Sequence, residues 1–299
     1  MIAVREGLQT LDKDALLTRE GMVYVVFTNY NPPGYRFAYL KYVYTGKGLW
    51  RGYERALKRY GVHNVLKLSQ EFLFEPCYGV SFPVVRLSEV VKAFRPLEAL
   101  RDLVRGNALP QVALELIQLL GSEGLGVGGS YMLGIQHEGS DLDLVVYGQR
   151  KAFEVLESFE GGEVDRQWLV EAAENYGLEA EEVRELYSVK LRGVYRGLKY
   201  SIGFVDPRPK GYCKDVCTKL GPFEGEVELN PNQYGALVYP SEVEAKSGVD
   251  KVVSYEGIFS WLLYSSRKVK ARGMLMKCGS EKVLLLGDRD VPARVRRVL

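Results

Sequence analysis

Two carboxylates at alternate positions of an apolar run constrain this chain more than any other feature. They are Asp141 and Asp143 in Ser140-Asp141-Leu142-Asp143-Leu144-Val145-Val146-Tyr147. Side chains alternate across a strand, so the two aspartates share one face while Leu142 and Leu144 pack behind. Like charges side by side repel, and a divalent cation is the ordinary means of neutralising them. Shortly upstream stands Gly128-Gly129-Ser130. Glycine lets backbone N–H groups approach a phosphate, and a serine hydroxyl adds a further bond. Residues 125–127 read as a short strand, 130–136 as a helix and 137–140 as the loop into the carboxylate strand. A phosphate cradle beside a two-carboxylate metal site is the equipment of metal-assisted phosphoryl or nucleotidyl transfer.

Gly129-Ser130, a ten-residue spacer containing Gly134, and Asp141-x-Asp143 on the next strand resemble a known signature. It is that of the nucleotidyltransferase superfamily of DNA polymerase β, the tRNA CCA-adding enzymes and the small antibiotic-type nucleotidyltransferases. The resemblance covers residues 110–206. It implies an α+β fold, a nucleotidyltransferase-like mixed sheet with covering helices. It also implies roles: Asp141 and Asp143 as catalytic residues holding Mg²⁺ or Mn²⁺, and Gly129, Ser130 and Ser140 as nucleotide-binding residues. The implied reaction transfers a nucleoside monophosphate from an NTP such as ATP to a hydroxyl, releasing pyrophosphate. Lys190 and Lys199 are candidates to assist the triphosphate, and His137 reads as a solvated loop residue.

Members of that superfamily commonly carry a third carboxylate on a later strand. The matching strand here is residues 198–205, and its alternation puts Ser201 at that position. Asp206 falls on the opposite face, and Asp165 is a substitute from elsewhere in the chain. This departure favours the alternative reading, a non-catalytic RNA-binding or scaffold protein on a degenerate nucleotidyltransferase fold. Phe82-Pro83-Val84-Val85 and the stretch from Tyr195 to Ser201 also resemble archaeal predicted nucleotidyltransferases, which have a three-part layout.

The division expected here is an N-terminal α+β domain at 1–95, the nucleotidyltransferase domain at 96–220 and a small β-barrel-like domain at 221–299. In the first part, strands are expected at 21–27 and 35–44. A helix is expected at 48–60, aligning Arg51, Arg55 and Arg59 as a stripe. Helices are predicted at 96–106, 110–120, 149–159, 167–176 and 179–191. Strands follow at 223–229, 234–239, 252–254, 269–276 and 282–286. An oligonucleotide-binding barrel is one form such strands take, with Tyr234, Tyr239, Tyr255, Trp261 and Tyr264 as stacking candidates.

The 299 residues are enough for two or three domains. No apolar run is long enough to span a membrane, and residues 1–6 lack a leader's layout, so a cytoplasmic protein is expected. Cys77, Cys213, Cys217 and Cys278 have no zinc-site spacing and read as buried or free thiols, with a disulfide conceivable only in a hyperthermophile. Net charge is +2, but residues 267–299 hold ten basic side chains against three acidic ones. That basic tail makes RNA or tRNA the candidate partner beside the NTP.

Overall fold

The computed structural model describes residues 7–213 and 215–298. The stretch 1–6, read above for a leader, lies outside them. The fold is α+β. Strands β1 (Ala15–Thr18), β2 (Met22–Val26), β3 (Tyr35–Gly48) and β4 (Gly52–Arg55) come first. A single turn, α1 (Val62–Val65), precedes the hairpin β5 (Phe72–Glu75) and β6 (Val80–Arg86), and then β7 (Val90–Phe94). Helices α2 (Pro96–Arg105) and α3 (Gln111–Leu120) lead to β8 (Leu125–Val127), α4 (Gly129–Leu133) and β9 (Leu142–Tyr147). Next are α5 (Gln149–Ser158), α6 (Arg166–Tyr176), α7 (Ala180–Leu186), β10 (Arg192–Tyr195) and β11 (Leu198–Val205). The last part holds β12 (Cys217–Leu229), β13 (Ser241–Ser247), β14 (Lys251–Ser254) and α8 (Ser260–Ser265). It closes with β15 (Lys268–Cys278), β16 (Glu281–Leu286) and β17 (Arg294–Arg297).

These elements form two compact units, one of residues 1–58, 85–166 and 188–210, the other of 59–84, 167–187 and 211–299. In the first unit, β4, β3, β2, β1 and β7 pair in that order, all antiparallel. A second sheet runs β10-β11-β9-β8, with β9 and β11 parallel and the outer pairs antiparallel. Leu142, Leu144 and Val146 of β9 are buried on one face of it, with Tyr200, Ile202 and Phe204 of β11 beside them. The other face belongs to Asp143 and Ser201. At its β8 edge α2 crosses so closely that a Cβ on Gly126 would lie 2.6 Å from the Pro96 carbonyl carbon. Ala15, Val23 and Tyr42 of the first sheet share a core with Met132 and Ile135, which ties that sheet to α4.

The helix expected at 48–60 is instead the end of one hairpin and the start of the next segment. Gly48 faces Gly52 across the β3–β4 turn, where a Cβ on Gly48 would overlap the Tyr53 carbonyl, and Arg51 adopts a left-handed φ of 49°. Two glycines and a left-handed residue within five positions end any helix, so the arginine spacing did not carry a helical face.

In the second unit, β12 pairs with β13, β13 with β14, β14 with β16 in parallel, β16 with β15, and β15 again with β12. The strand pairings thus return to their start, around a core that includes Val227, Val243, Val252, Leu262, Val269 and Leu284. Residues 234–239 are not a strand: Tyr234–Ala236 is a 3-10 turn, and a Cβ on Gly235 would overlap the Glu242 carbonyl. The segment 179–191 is helical only to Leu186, because Tyr187 turns extended at φ −93°, ψ 143°. The thiol reading is corrected as well. Cys77 is bonded to Cys213 and Cys217 to Cys278, leaving no free cysteine among the described residues. Among the described residues, no helix is long and apolar enough to cross a membrane.

Candidate active site

The glycine turn, the carboxylate strand and β11 meet at one carboxylate. Asp143 is held from both flanks. Ser201 Oγ donates a 2.5 Å hydrogen bond to its Oδ1. On the other flank lies Gly129, with φ +59°, where a Cβ would overlap Asp143 Oδ2. The residue at position 129 is therefore fixed twice, by a left-handed backbone and by the carboxylate pressed against it. Gly128 N–H closes the arrangement by donating to the Asp143 carbonyl at 2.8 Å.

Asp141 sits one residue ahead of β9, with its side chain 39 % exposed and its Oδ2 4.0 Å from Arg192 Nη1. Burial, and then the nearby Asp143, push its carboxyl above the ordinary range, while Arg192 and Arg55 pull the other way. Arg55 is held in place by stacking over Trp50, 4.7 Å from the ring centre. Two anions are thus kept close together in a partly desolvated place, which a divalent ion relieves. The donors are all carboxylate oxygens, the hard ligands that suit Mg²⁺ or Mn²⁺. Among the described residues no group of three or more His, Cys, Asp or Glu side chains is placed to hold a metal.

The other residues singled out from sequence fall as follows. Ser130 is buried in the first turn of α4. This helix is only five residues long and ends at left-handed Gly134, so it is shorter than the 130–136 expected. Ser140 Oγ accepts the His137 N–H at 3.0 Å, locking the loop before Asp141. His137 Nδ1 accepts from the Gly139 N–H, and its ring meets Trp50 edge-on, which makes it a loop-forming residue. Ser201 is the direct register partner of Asp143. Asp206 is bonded to Arg208, and Asp165 is buried 3.8 Å from Lys199, so neither joins the aspartate pair. Lys190 Nζ donates to the Leu156 carbonyl at 2.6 Å, a structural engagement.

Three residues escaped the sequence reading. Arg192 lies on β10, inside a stretch whose apolar spacing looked helical almost to that point. Arg55 lay hidden in the supposed arginine stripe. Lys13 adopts a left-handed φ of 73°, and its Nζ is 2.8 Å from Asp12 Oδ2. Its Cε lies 3.3 Å from where a Cβ on Gly203 would sit, on the same sheet face as Ser201 and one step further along β11. A non-glycine residue in the left-handed region is the kind of sequence-invisible signal that marks such positions.

No curated protein and no solved structure matches the chain. Residues 109–208, about a third of the sequence, match the family model described as a nucleotidyltransferase domain. That segment starts just before α3, ends just after β11, and contains Gly129, Asp141, Asp143, Arg192 and Ser201.

Proposed function

We propose that the protein transfers a nucleoside monophosphate from an NTP to an acceptor oxygen in a Mg²⁺-dependent reaction that releases pyrophosphate. One observation carries this reading: Asp143 is clamped between Gly129 and Ser201, with Asp141 on the same strand side and the glycine cradle adjoining. Asp141 and Asp143 would hold the ion. When bound, it neutralises charge developing on the transferred phosphoryl group and on the departing pyrophosphate. Gly129 and Ser130 present first-turn N–H groups, which have no helical acceptor, to the β- and γ-phosphates. Ser201 fixes the rotamer of Asp143, so one carboxylate oxygen stays aimed past Gly129. The family match to 109–208 supports nucleotidyl chemistry at this segment.

A hydroxyl acceptor such as an RNA 3′ end follows from the sequence resemblance and the basic tail. The strand ring of residues 217–286 is consistent with a small barrel. Several basic residues of the tail, however, are matched within the unit, for example Lys268 with Glu226 and both Arg294 and Arg296 with Glu182. The rings of Tyr239 and Tyr255 meet edge-on, and those of Trp261 and Tyr264 pack together at a tilt.

One observation favours the non-catalytic alternative: Arg192 and Arg55 lie toward Asp141 and supply positive charge without any metal. Calorimetric titration of each NTP with Mg²⁺, and again with EDTA, separates the two readings. The parent should bind an NTP only with Mg²⁺, and Asp143→Asn should weaken that binding at least ~100-fold. A folded parent that binds no NTP would leave the non-catalytic reading standing.

A further inference from the structure

The row of side chains across the small sheet says from which side an acceptor must come. Arg192 pairs in register with Ser201, and Ser201 with Asp143, on neighbouring strands β10, β11 and β9. Directly opposite residues share a face, so cation, hydroxyl and carboxylate form one line. Gly129 meets Asp143 from the far flank, next to β8. In phosphoryl transfer the attacking and leaving oxygens lie roughly in line across phosphorus. With the β- and γ-phosphates at Gly129 and Ser130, pyrophosphate departs on that flank. The acceptor oxygen enters on the Ser201–Arg192 flank.

Among the described residues, that flank offers no general base beyond the aspartate pair. Ser201 already donates its proton to Asp143, and Asp206 and Asp165 are committed elsewhere. A neutral alcohol must shed a tightly held proton, and among the described residues nothing beyond the metal-binding pair stands ready to take it. What the flank does have is a guanidinium. Arg192 is 4.0 Å from Asp141, a loose ion pair, and its side chain is 29 % exposed. Its planar fork matches a phosphate edge.

We propose that the acceptor is an oxyanion, a phosphate or phosphate monoester, held by Arg192 on the Ser201 side of the carboxylate pair. This rests on the nucleotidyl-transfer reading and adds the acceptor's chemical class to it. A lone pair on the acceptor's phosphate oxygen forms the new bond to the α-phosphorus. The bond from that phosphorus to the oxygen bridging to the β-phosphate breaks, and its electron pair leaves with pyrophosphate. A phosphate monoester has its second pKa near ~6, so at neutral pH the attacking oxygen carries no proton to remove. The products are a phosphoanhydride and pyrophosphate, and no base takes part.

The test uses the full chain loaded with Mg²⁺ and a non-hydrolysable NTP analogue, titrated with inorganic phosphate in a calorimeter. Phosphate should bind the loaded parent. Arg192→Ala should weaken phosphate binding by about tenfold or more while changing analogue affinity much less, and Arg192→Lys should fall between them. The lysine variant keeps the charge, which guards against a trivial folding defect in the alanine one. In a parallel assay with α-labelled NTP, label should pass to glycerol 3-phosphate in preference to glycerol. If phosphate fails to bind the analogue-loaded parent, or binds Arg192→Ala as tightly, the acceptor assignment is wrong although the nucleotide site stands. Preferential labelling of glycerol would overturn it equally. Failure of the analogue itself to bind would instead sink the nucleotidyl reading.

Discussion

The aspartate pair and the C-terminal strands handle charge in opposite ways. On β12, β15 and β17, acids and bases alternate and meet across strands: Glu226 with Lys268, Glu224 with Lys270. Nearby, Glu182 takes both Arg294 and Arg296, and Lys219 reaches Asp288 and Asp290. In sequence this region showed the strongest basic excess, and in the fold Lys268, Lys270, Arg289, Arg294 and Arg296 are paired with acids. At Asp141 and Asp143 the sequence shows only two acids, yet the fold keeps them adjacent, partly buried, and answered by a loose 4.0 Å arginine contact. A run of like charges in sequence therefore says less about binding than two charges the backbone keeps together at a cost.

The sharpest way to break that contrast is Gly129→Ala. Alanine in a left-handed conformation costs about 1–2 kcal/mol, and its Cβ would push Asp143 off the Ser201 hydroxyl. Displacing a ligand-bearing carboxylate by about an ångström costs on the order of 100-fold. The variant should melt lower but remain folded, and its Mg²⁺-dependent NTP affinity should fall by that factor. Unchanged affinity in a folded Gly129→Ala would mean that the clamp on Asp143 has no part in binding.

The reasons the clamp was legible and its neighbours were not are physical. Gly129, Asp141, Asp143 and Ser201 lie on short elements whose local spacing sets their faces; alternation singled out Ser201, and the pairing of β11 with β9 sets it opposite Asp143. Arg192 depends on where α7 stops, and Tyr187 leaves the helix although the apolar spacing continues to Leu191. Arg55 depends on a hairpin made by Gly48 and Gly52, which an i, i+4 arginine pattern concealed. The disulfides join residues 136 and 61 positions apart, and no local rule reaches that far. β13, Ser241-Glu242-Val243-Glu244-Ala245-Lys246-Ser247, is too polar to announce itself as a strand and is recruited by pairing with β14.

A second break concerns two buried acids whose carboxyls burial dominates. Glu256 accepts the Val62 N–H at 3.1 Å, and burial pushes its carboxyl up to about 7 from an ordinary 4.5. Asp14, accepting from the Leu11 N–H, is likewise pushed by burial to about 7. A folded-state pKa above the unfolded one means that the native protein binds the proton more tightly. Such a group contributes its stability in full below about 4.5 and loses it as pH rises to about 7. For Glu256 the loss is on the order of 3 kcal/mol. Melting curves of parent and Glu256→Gln should converge at low pH and separate as pH rises through that window, with the variant the more stable above it. Parallel curves across the whole range would show that Glu256 does not titrate with folding.

The smallest effect is expected where the sequence looked most charged. Lys270 and Glu224 lie 3.5 Å apart, both more than half exposed, on diagonally related positions of β15 and β12. Attraction in high dielectric is offset by the entropy of ordering two long side chains, so exposed pairs of this kind contribute little, about 0–1 kcal/mol. Lys270→Ala should shift the melting temperature barely and less still in high salt. It also tests the tail as a nucleic-acid surface, because removing a phosphate-contacting lysine lowers the steepness with which RNA binding falls with salt by about one charge. If the C-terminal bases are balanced internally, that slope should be unchanged in Lys270→Ala. A measurable drop would mean that RNA displaces Glu224 from Lys270, and the basic excess read from the sequence would regain its functional meaning.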